Sequence, residues 1–315
     1  MRICSLLPSA TEIVFALGLG DSLVGVSHEC DFPAAAARLP KVTRSTIPRG
    51  VSSRQIDAAV SSALRAGGSL YELDLPLLEF LNPDLILTQK LCNVCAVSFG
   101  MVEAAAKHLP SRPKVLNLEP QSLDGIFENV GQVADAAGTP EKGRELVNSL
   151  AERVESVRAK TANVPNRMRV FCMEWVDPPY CGGHWMNELV EIAGGRDELA
   201  RLHRPSVRIE WEAVLEFAPE VLILACCGFD LERCAEEAAI LAGFRQIQDL
   251  PAVQAGRVYA TDASHFFSRP GPRIVDSLEI LAHLIHPRFF APPPLANGFK
   301  PLTLGKSTPA STSLS

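Results

Sequence analysis

No hydrophobic run in this chain approaches the roughly 20 residues that a membrane-crossing helix needs. A helical membrane protein is thereby excluded. Basic charge is also in short supply: 30 Lys and Arg stand against 36 Asp and Glu, for a formal net charge of -6. Nothing in that balance draws a phosphate backbone, so nucleic acid is not an expected partner. The nine cysteines are odd in number and irregularly spaced. That is a poor disulfide framework and fits reduced thiols. Only one Cys-x-x-Cys occurs, at Cys92 and Cys95, whereas a structural zinc site needs about four ligands, usually from two such pairs. Glu174 closes MRVFCMEW, where a carboxylate could be catalytic. No nucleophile–base set, phosphate loop or paired metal motif accompanies it, so an enzyme is not expected.

The first residues, MRICSLLPSATEIVFALGLG, lack the pattern of a secretory leader. A leader shows a charged start, an unbroken apolar stretch and a small-residue cleavage site. Here one Arg precedes a short apolar run that Pro8 breaks, and Glu12 follows. The expectation is a chain that starts at Met1 and stays in the cytoplasm.

What is present is ordinary globular composition: 315 residues, 47% hydrophobic and 21% charged. The length allows roughly two domains of about 150 residues each. Apolar segments alternate between strand-like and helical periods. ICSLLP, NPDLIL, KVLNLE, RMRVFCMEW, EVLILAC and RVYATD read as strands. SATEIVFALG, NELVEIAGG and GPRIVDSLEILAHLI read as helices. Ser122 caps a further helix running to about Ala137, and Thr139-Pro140 starts another that runs to about Lys160. That last helix would span roughly 30 Å. Alternation of this kind argues for parallel sheets.

The pattern restarts midway. TEIVFALGLGDSL (11–23) aligns without gaps to NELVEIAGGRDEL (187–199), with five of thirteen positions identical. LEFLNPDLIL (78–87) matches LEFAPEVLIL (215–224) in the same order, with a one-residue slip around the proline. The expected fold is α/β, with two similar parallel-sheet lobes joined by a single long helix. The expected organisation is an N-terminal lobe over 1–119, a helical connection over 120–163, a C-terminal lobe over 164–290 and a disordered tail over 291–315. The first lobe carries an extra stretch at about 28–74.

In open parallel sheets, ligands bind beyond the carboxyl ends of the strands. The loops there hold PSAT, Thr88–Cys95, VDPPYCGGHW, CCGFD and SHFFSRPGPR. Aromatics, prolines and a few polar groups suit a cleft for a large, partly apolar ligand. Three readings of Cys92 and Cys95 stand side by side: thiols lining a wall, a metal or cobalt contact, and a redox pair at a helix start. Cys226 and Cys227 follow the matching strand of the other lobe. His184 and Glu188 have i, i+4 spacing, which reads either as a ligand pair or as a helix-start His with a surface Glu. His265 reads as a cobalt ligand or as a hydrogen-bonding loop His, and His28 as a residue reaching the cleft. Arg269 and Arg273 of SRPGPR read as an anion site or as a tie for a rigid turn.

PSATE, HECDFP, LNPDLILTQ, GGHWMNELVEIAGG, CCGFD and SRPGPR occur in that order. The series resembles the solute-binding proteins that carry cobalamin and iron-siderophores for ABC importers, most nearly the cobalamin-binding branch, over about residues 1–290. The resemblance implies two α/β lobes joined by one long helix, with the ligand clamped between them, and a binding protein rather than an enzyme. It implies ligand contacts from Ser9, Thr88, Gln89, Trp175, Tyr180, Trp185 and Phe229, with His265 and Phe266 before the SRPGPR turn. Cys92, His184, Cys227 and Arg269 join the candidate ligand contacts on the readings of the residues given above. The ligand would be cobalamin or another corrinoid, and the partners ABC importer subunits, with Glu210 or Glu212 as a docking carboxylate. The alternative is a thiol-dependent metal protein or metalloenzyme that uses Cys92 and Cys95 with Cys226 and Cys227.

Overall fold

The apolar runs singled out above become strands of two sheets, one parallel and the other parallel at its centre with antiparallel edges. The computed structural model describes residues 1–47, 50–65, 70–89, 99–295 and 297–304. The chain divides into two units.

One unit comprises Met1–Arg153 together with Arg269–Arg273. Its strands are β1 (Ile3–Ser5), β2 (Leu23–Val26), β3 (Thr43–Ser45), β4 (Tyr71–Leu73), β5 (Leu85–Thr88) and β6 (Lys114–Asn117). Four of them form a parallel sheet in the order β2-β1-β5-β6. NPDLIL shows why β5 lies inside it. The helix Leu75–Leu81 ends at Asn82, which takes the left-handed conformation at φ 39°, and Pro83 then prevents continuation. Leu85, Ile86 and Leu87 follow, each at most 1% exposed. Side chains alternate across a strand. Leu85 and Leu87 pack with Ile13, Val14, Val130 and Val133 on one face. Ile86 packs with Leu78, Leu81 and Val102 on the other. A strand covered on both faces has no polar alternation to show. Each of these burials is worth about 1.5–3 kcal/mol. The extra stretch holds the antiparallel pair of β3 and β4.

The second unit comprises Val154–Ser268 and the chain from Ile274. Its strands are β7 (Met168–Trp175), β8 (Tyr180–Cys181), β9 (Gly195–Arg196), β10 (Val221–Leu224), β11 (Val258–Thr261) and β12 (Phe299–Pro301). They run in the order β12-β11-β10-β7-β8, with β9 against β7. β7, β10 and β11 are parallel to one another. β12 is a correction to the expected disordered tail. Composition marks 291–315 as loose, but β12 pairs antiparallel with β11 through Tyr259 and Pro301, Ala260 and Lys300, Thr261 and Phe299. An open sheet edge offers unpaired backbone groups to any segment that reaches it. Lys300 adds an ion pair to Glu232 at 2.7 Å.

The duplication is kept in the backbone of the matched segments and extends beyond them. Gly18 and Gly194 each follow the matched helix with positive φ, 71° and 83°. Asn82 and Ala218 each end the second matched helix in the left-handed conformation. In the first unit, the backbone N–H of Arg2 donates to Asp84 Oδ2 at 2.7 Å, and its guanidinium donates to Leu81 O. In the second unit, the N–H of Arg169 donates to Glu220 Oε2 at 2.9 Å, and its guanidinium donates to Ala218 O. Sequence alignment reaches neither arginine. The long helix spans Pro140–Thr161, 22 residues, and the unit boundary falls inside it between Arg153 and Val154.

Candidate ligand site

The second unit gathers its chemistry along one edge. β11, β10 and β7 are adjacent and parallel, so their carboxyl ends lie side by side. β7 ends at Glu174-Trp175, β10 leads into Cys226–Phe229, and β11 leads into Asp262–Phe267. Backbone bonds tie these segments together. Cys227 N donates to Glu174 O at 3.0 Å, and Ser264 N donates to Phe229 O at 2.9 Å.

On that frame the rings of Trp175 and Phe229 meet at 5.0 Å, inclined by 48°. The Arg233 guanidinium lies 5.0 Å from the Phe229 ring on its own account. Tyr180 is the register partner of Trp175 across β7 and β8. Trp175 Nε1 is buried and has no hydrogen-bond partner among the described residues. An indole N–H in that state is unusual, because a buried donor without an acceptor costs roughly 1–3 kcal/mol.

Beyond β11, Asp262 caps a short π-helical turn over Ala263–Phe267. Its Oδ1 accepts from His265 N at 3.0 Å, and its two oxygens lie 2.9 and 2.8 Å from His265 Nδ1. A carboxylate only accepts, so Nδ1 carries the proton and the ring lone pair sits on Nε2. The His265 side chain is 34% exposed and that of Asp262 11%.

Other named residues do different work. Trp185 is buried, and its Nε1 donates to Phe267 O at 3.1 Å. Phe266 is 6% exposed and belongs to the packing of this unit. His184 and Glu188 do not share one helix. The helix begins only at Met186, and His184 stands before it with φ 53°, stacked on Trp185. Burial lowers the His184 pKa. Glu188 lies instead 3.7 Å from His203. Glu174 accepts from Gly183 N at 2.9 Å, and burial raises its carboxyl above the usual range. Cys226 is buried and its thiol is raised by a hydrogen bond with Cys234, then by burial, while Cys227 is exposed.

In the first unit the strand ends hold Ser9, Thr88 and Asn117. Ser9 is buried beneath Gly271, where an added Cβ would stand 3.2 Å from Ser9 O. Thr88 is fully buried, and neither its Oγ1 nor Asn117 Oδ1 finds a partner among the described residues. Gln89 is half-buried. A cavity of about 380 Å³ opens beside Asn117, Ser122 and Asn129. His28 holds Thr43 Oγ1 at 2.8 Å through Nδ1 and packs its ring 5.3 Å from that of Tyr71. Arg269 is 7% exposed at its side chain. It donates to Glu12 at 3.1 Å and to Asp31 at 2.6 and 3.1 Å. Arg273 grips both oxygens of Glu12 and lies 3.8 Å over the Phe32 ring. The two arginines of SRPGPR are thus held by carboxylates of this chain.

Cys92 and Cys95 lie outside the described residues. Among the described residues no group of three or more His, Cys, Asp or Glu is placed to hold a metal ion. Sequence reasoning passed over Asp262, Glu12 and Asp31. The signals were there: an Asp three residues before His265, and an acid at Glu12 inside an apolar helix.

Comparison with known proteins places this geometry. Residues 3–265 match the model of a family described as periplasmic binding protein. The chain is similar to a vitamin B12-binding protein of Vibrio cholerae, 27% identical over 289 residues that cover 88% of this chain and 86% of that protein. Its structure is similar to the crystal structure of the periplasmic vitamin B12 binding protein of Vibrio cholerae, with a TM-score of 0.64 and 26% identity over 90% of this chain and 96% of that one. It also resembles a periplasmic heme-binding protein from Roseiflexus sp. RS-1, with a TM-score of 0.68 and 22% identity over 91% of this chain and 98% of that one. That last likeness is one of fold.

Proposed function

Because the chain belongs to the periplasmic binding protein family, we propose that it binds cobalamin or a related corrinoid. The observation that carries this reading is the wall of Trp175, Phe229 and His265 on three adjacent strand ends. A corrin is a broad, partly apolar plate with polar edges. Aromatic faces take up such a plate, and placed polar groups fix its orientation. Likeness to a protein that bears the name vitamin B12-binding supports the choice of ligand class.

The activity is binding without chemistry on the ligand. A small-molecule carrier of this family hands its ligand to ABC importer subunits, and Glu210, exposed at the start of the helix Trp211–Phe217, is the docking carboxylate we propose on the second unit. We place the chain in the cytoplasm, a reading supported by the seven free thiols among the described residues. Cell fractionation checks the location, and co-purification with membrane components checks the partner.

Ligand binding is tested by titrating cyanocobalamin, cobinamide and hemin against the purified protein. Fluorescence of the three tryptophans is the readout. Quenching by a corrinoid with saturation is the expected result. An unchanged signal at high micromolar corrinoid overturns the reading.

A further inference from the structure

Asp262 and His265 are more than a loop contact. Both carboxylate oxygens lie within 2.9 Å of Nδ1, and one of them also holds the residue's backbone N–H. The ring is therefore fixed in position and in tautomer, with its lone pair on Nε2. Carboxylate–imidazole pairs of this form orient metal-ligating histidines and raise their basicity. The pair stands where such a ligand would be useful. Ser264 N is bonded to Phe229 O, which joins the histidine's turn to the aromatic wall.

A bare metal ion would need several protein ligands, and no such cluster exists among the described residues. A metallated macrocycle supplies its own ring nitrogens and needs only an axial donor. One oriented imidazole, a third exposed on the turn that is bonded to Phe229 O, meets that requirement.

We infer that His265 Nε2 ligates the metal of the bound macrocycle at an axial position, with Asp262 as the positioning residue that sets its tautomer. This inference rests on the corrinoid reading above, and it narrows the ligand class. The favoured ligand has an exchangeable axial site, as in aquocobalamin or aquocobinamide. Binding then exchanges water on the metal for the imidazole nitrogen, with no change in oxidation state and no net transfer of a proton. Corrinoids whose axial positions are both firmly occupied bind more weakly.

The test uses the full chain with aquocobinamide and follows the visible bands of the corrinoid alongside tryptophan quenching. The wild type is expected to shift the bands as free imidazole does. His265→Gln is expected to bind more weakly, with the bands left at the aquo position. His265→Ala is expected to regain the shifted bands when imidazole is added. Asp262→Asn is expected to bind with bands between the two positions. Thermal melts of each variant establish that it is folded.

Binding by the wild type with quenching but unchanged bands overturns axial ligation and leaves the corrinoid reading standing. A full shift retained by His265→Gln overturns it as well. No quenching and no shift in the wild type refutes the corrinoid reading itself, and the ligation falls with it. The wild-type spectrum decides the matter even if a variant fails to fold.

Discussion

Glu12 accepts from Arg273 through both carboxylate oxygens, 2.9 Å from Nε and 2.5 Å from Nη2. The same carboxylate lies 3.1 Å from Arg269, and its side chain is 2% exposed. One buried anion therefore compensates two guanidiniums, with Asp31 as the fourth member. Removing one partner of such a set leaves uncompensated charge in a poor solvent. Glu12→Gln is expected to lower stability by about 3–5 kcal/mol in urea denaturation. Asp31→Asn should cost much less, since its side chain is 44% exposed. Equal losses in the two variants would contradict this ranking.

The aromatic residues of the second unit separate into two roles. Trp175 pairs with Phe229 on the strand-end edge, whereas Trp185 is buried with its N–H spent on Phe267 O. Trp175→Ala is expected to weaken corrinoid binding by about tenfold, the value of a lost ring contact of about 1.4 kcal/mol. Trp185→Phe should leave affinity unchanged and lower the melting temperature, because an interior donor is lost. Calorimetric titration of both variants tells the roles apart.

Stability is expected to depend on pH through Asp197. It is 2% exposed and accepts from Cys172 N at 3.1 Å and from the N–H groups of Leu199 and Ala200. Burial nevertheless pushes its pKa up to about 7. In the unfolded chain a carboxyl titrates near 3.9. The folded state thus keeps a proton that the unfolded state releases. This contribution is full below pH about 4 and is lost as pH rises through about 7. Glu174 shifts in the same direction. The half-buried His184 and the buried His286, both lowered, act in the opposite sense and lose stability as the pH falls. Urea midpoints of the wild type should decline between about pH 4 and 7, and Asp197→Asn should flatten the decline. A variant with the wild-type slope would remove Asp197 from this role.

Two glycines form a matched pair for substitution. A Cβ on Gly183 would run into Ser206 N and stand 2.9 Å from Arg204 O, whereas one on Gly131 meets nothing within 4 Å. Gly183 N is also the donor to Glu174. Gly183→Ala should destabilise by about 1–3 kcal/mol through overpacking. Gly131→Ala, inside the helix Leu123–Ala136, should stabilise by up to about 1 kcal/mol. Thermal melts of the two variants should move in opposite directions.

Much of this was legible before any coordinates. NPDLIL and EVLILAC announce inner strands because both faces are covered and no polar residue interrupts them. The duplicated segments keep their left-handed glycines, so alignment finds them. What escaped depends on distant partners. Arg2 and Arg169 play one role, but each is recognised only by a carbonyl about fifty residues away or more. β12 needs the edge of β11 and has no periodicity of its own. For His184 and Glu188, counting residues assumed a helix that starts two positions later. His265 was named by its type, but its orientation comes from Asp262, and a sequence motif shows no ring nitrogen. The partners of Arg269 lie 238 and 257 positions away, so a site for an outside anion and an internal ion network read alike in sequence.

The five residues Arg269–Arg273 belong to a unit whose other residues all precede Val154. For a chain made from its amino terminus, that is a matter of timing. When residue 153 emerges from the ribosome, the parallel sheet β2-β1-β5-β6 can already form, but Glu12 has no guanidinium to face. Its compensation arrives only after more than a hundred further residues have been added. Until then the nascent unit carries a carboxylate without the two guanidiniums that compensate it.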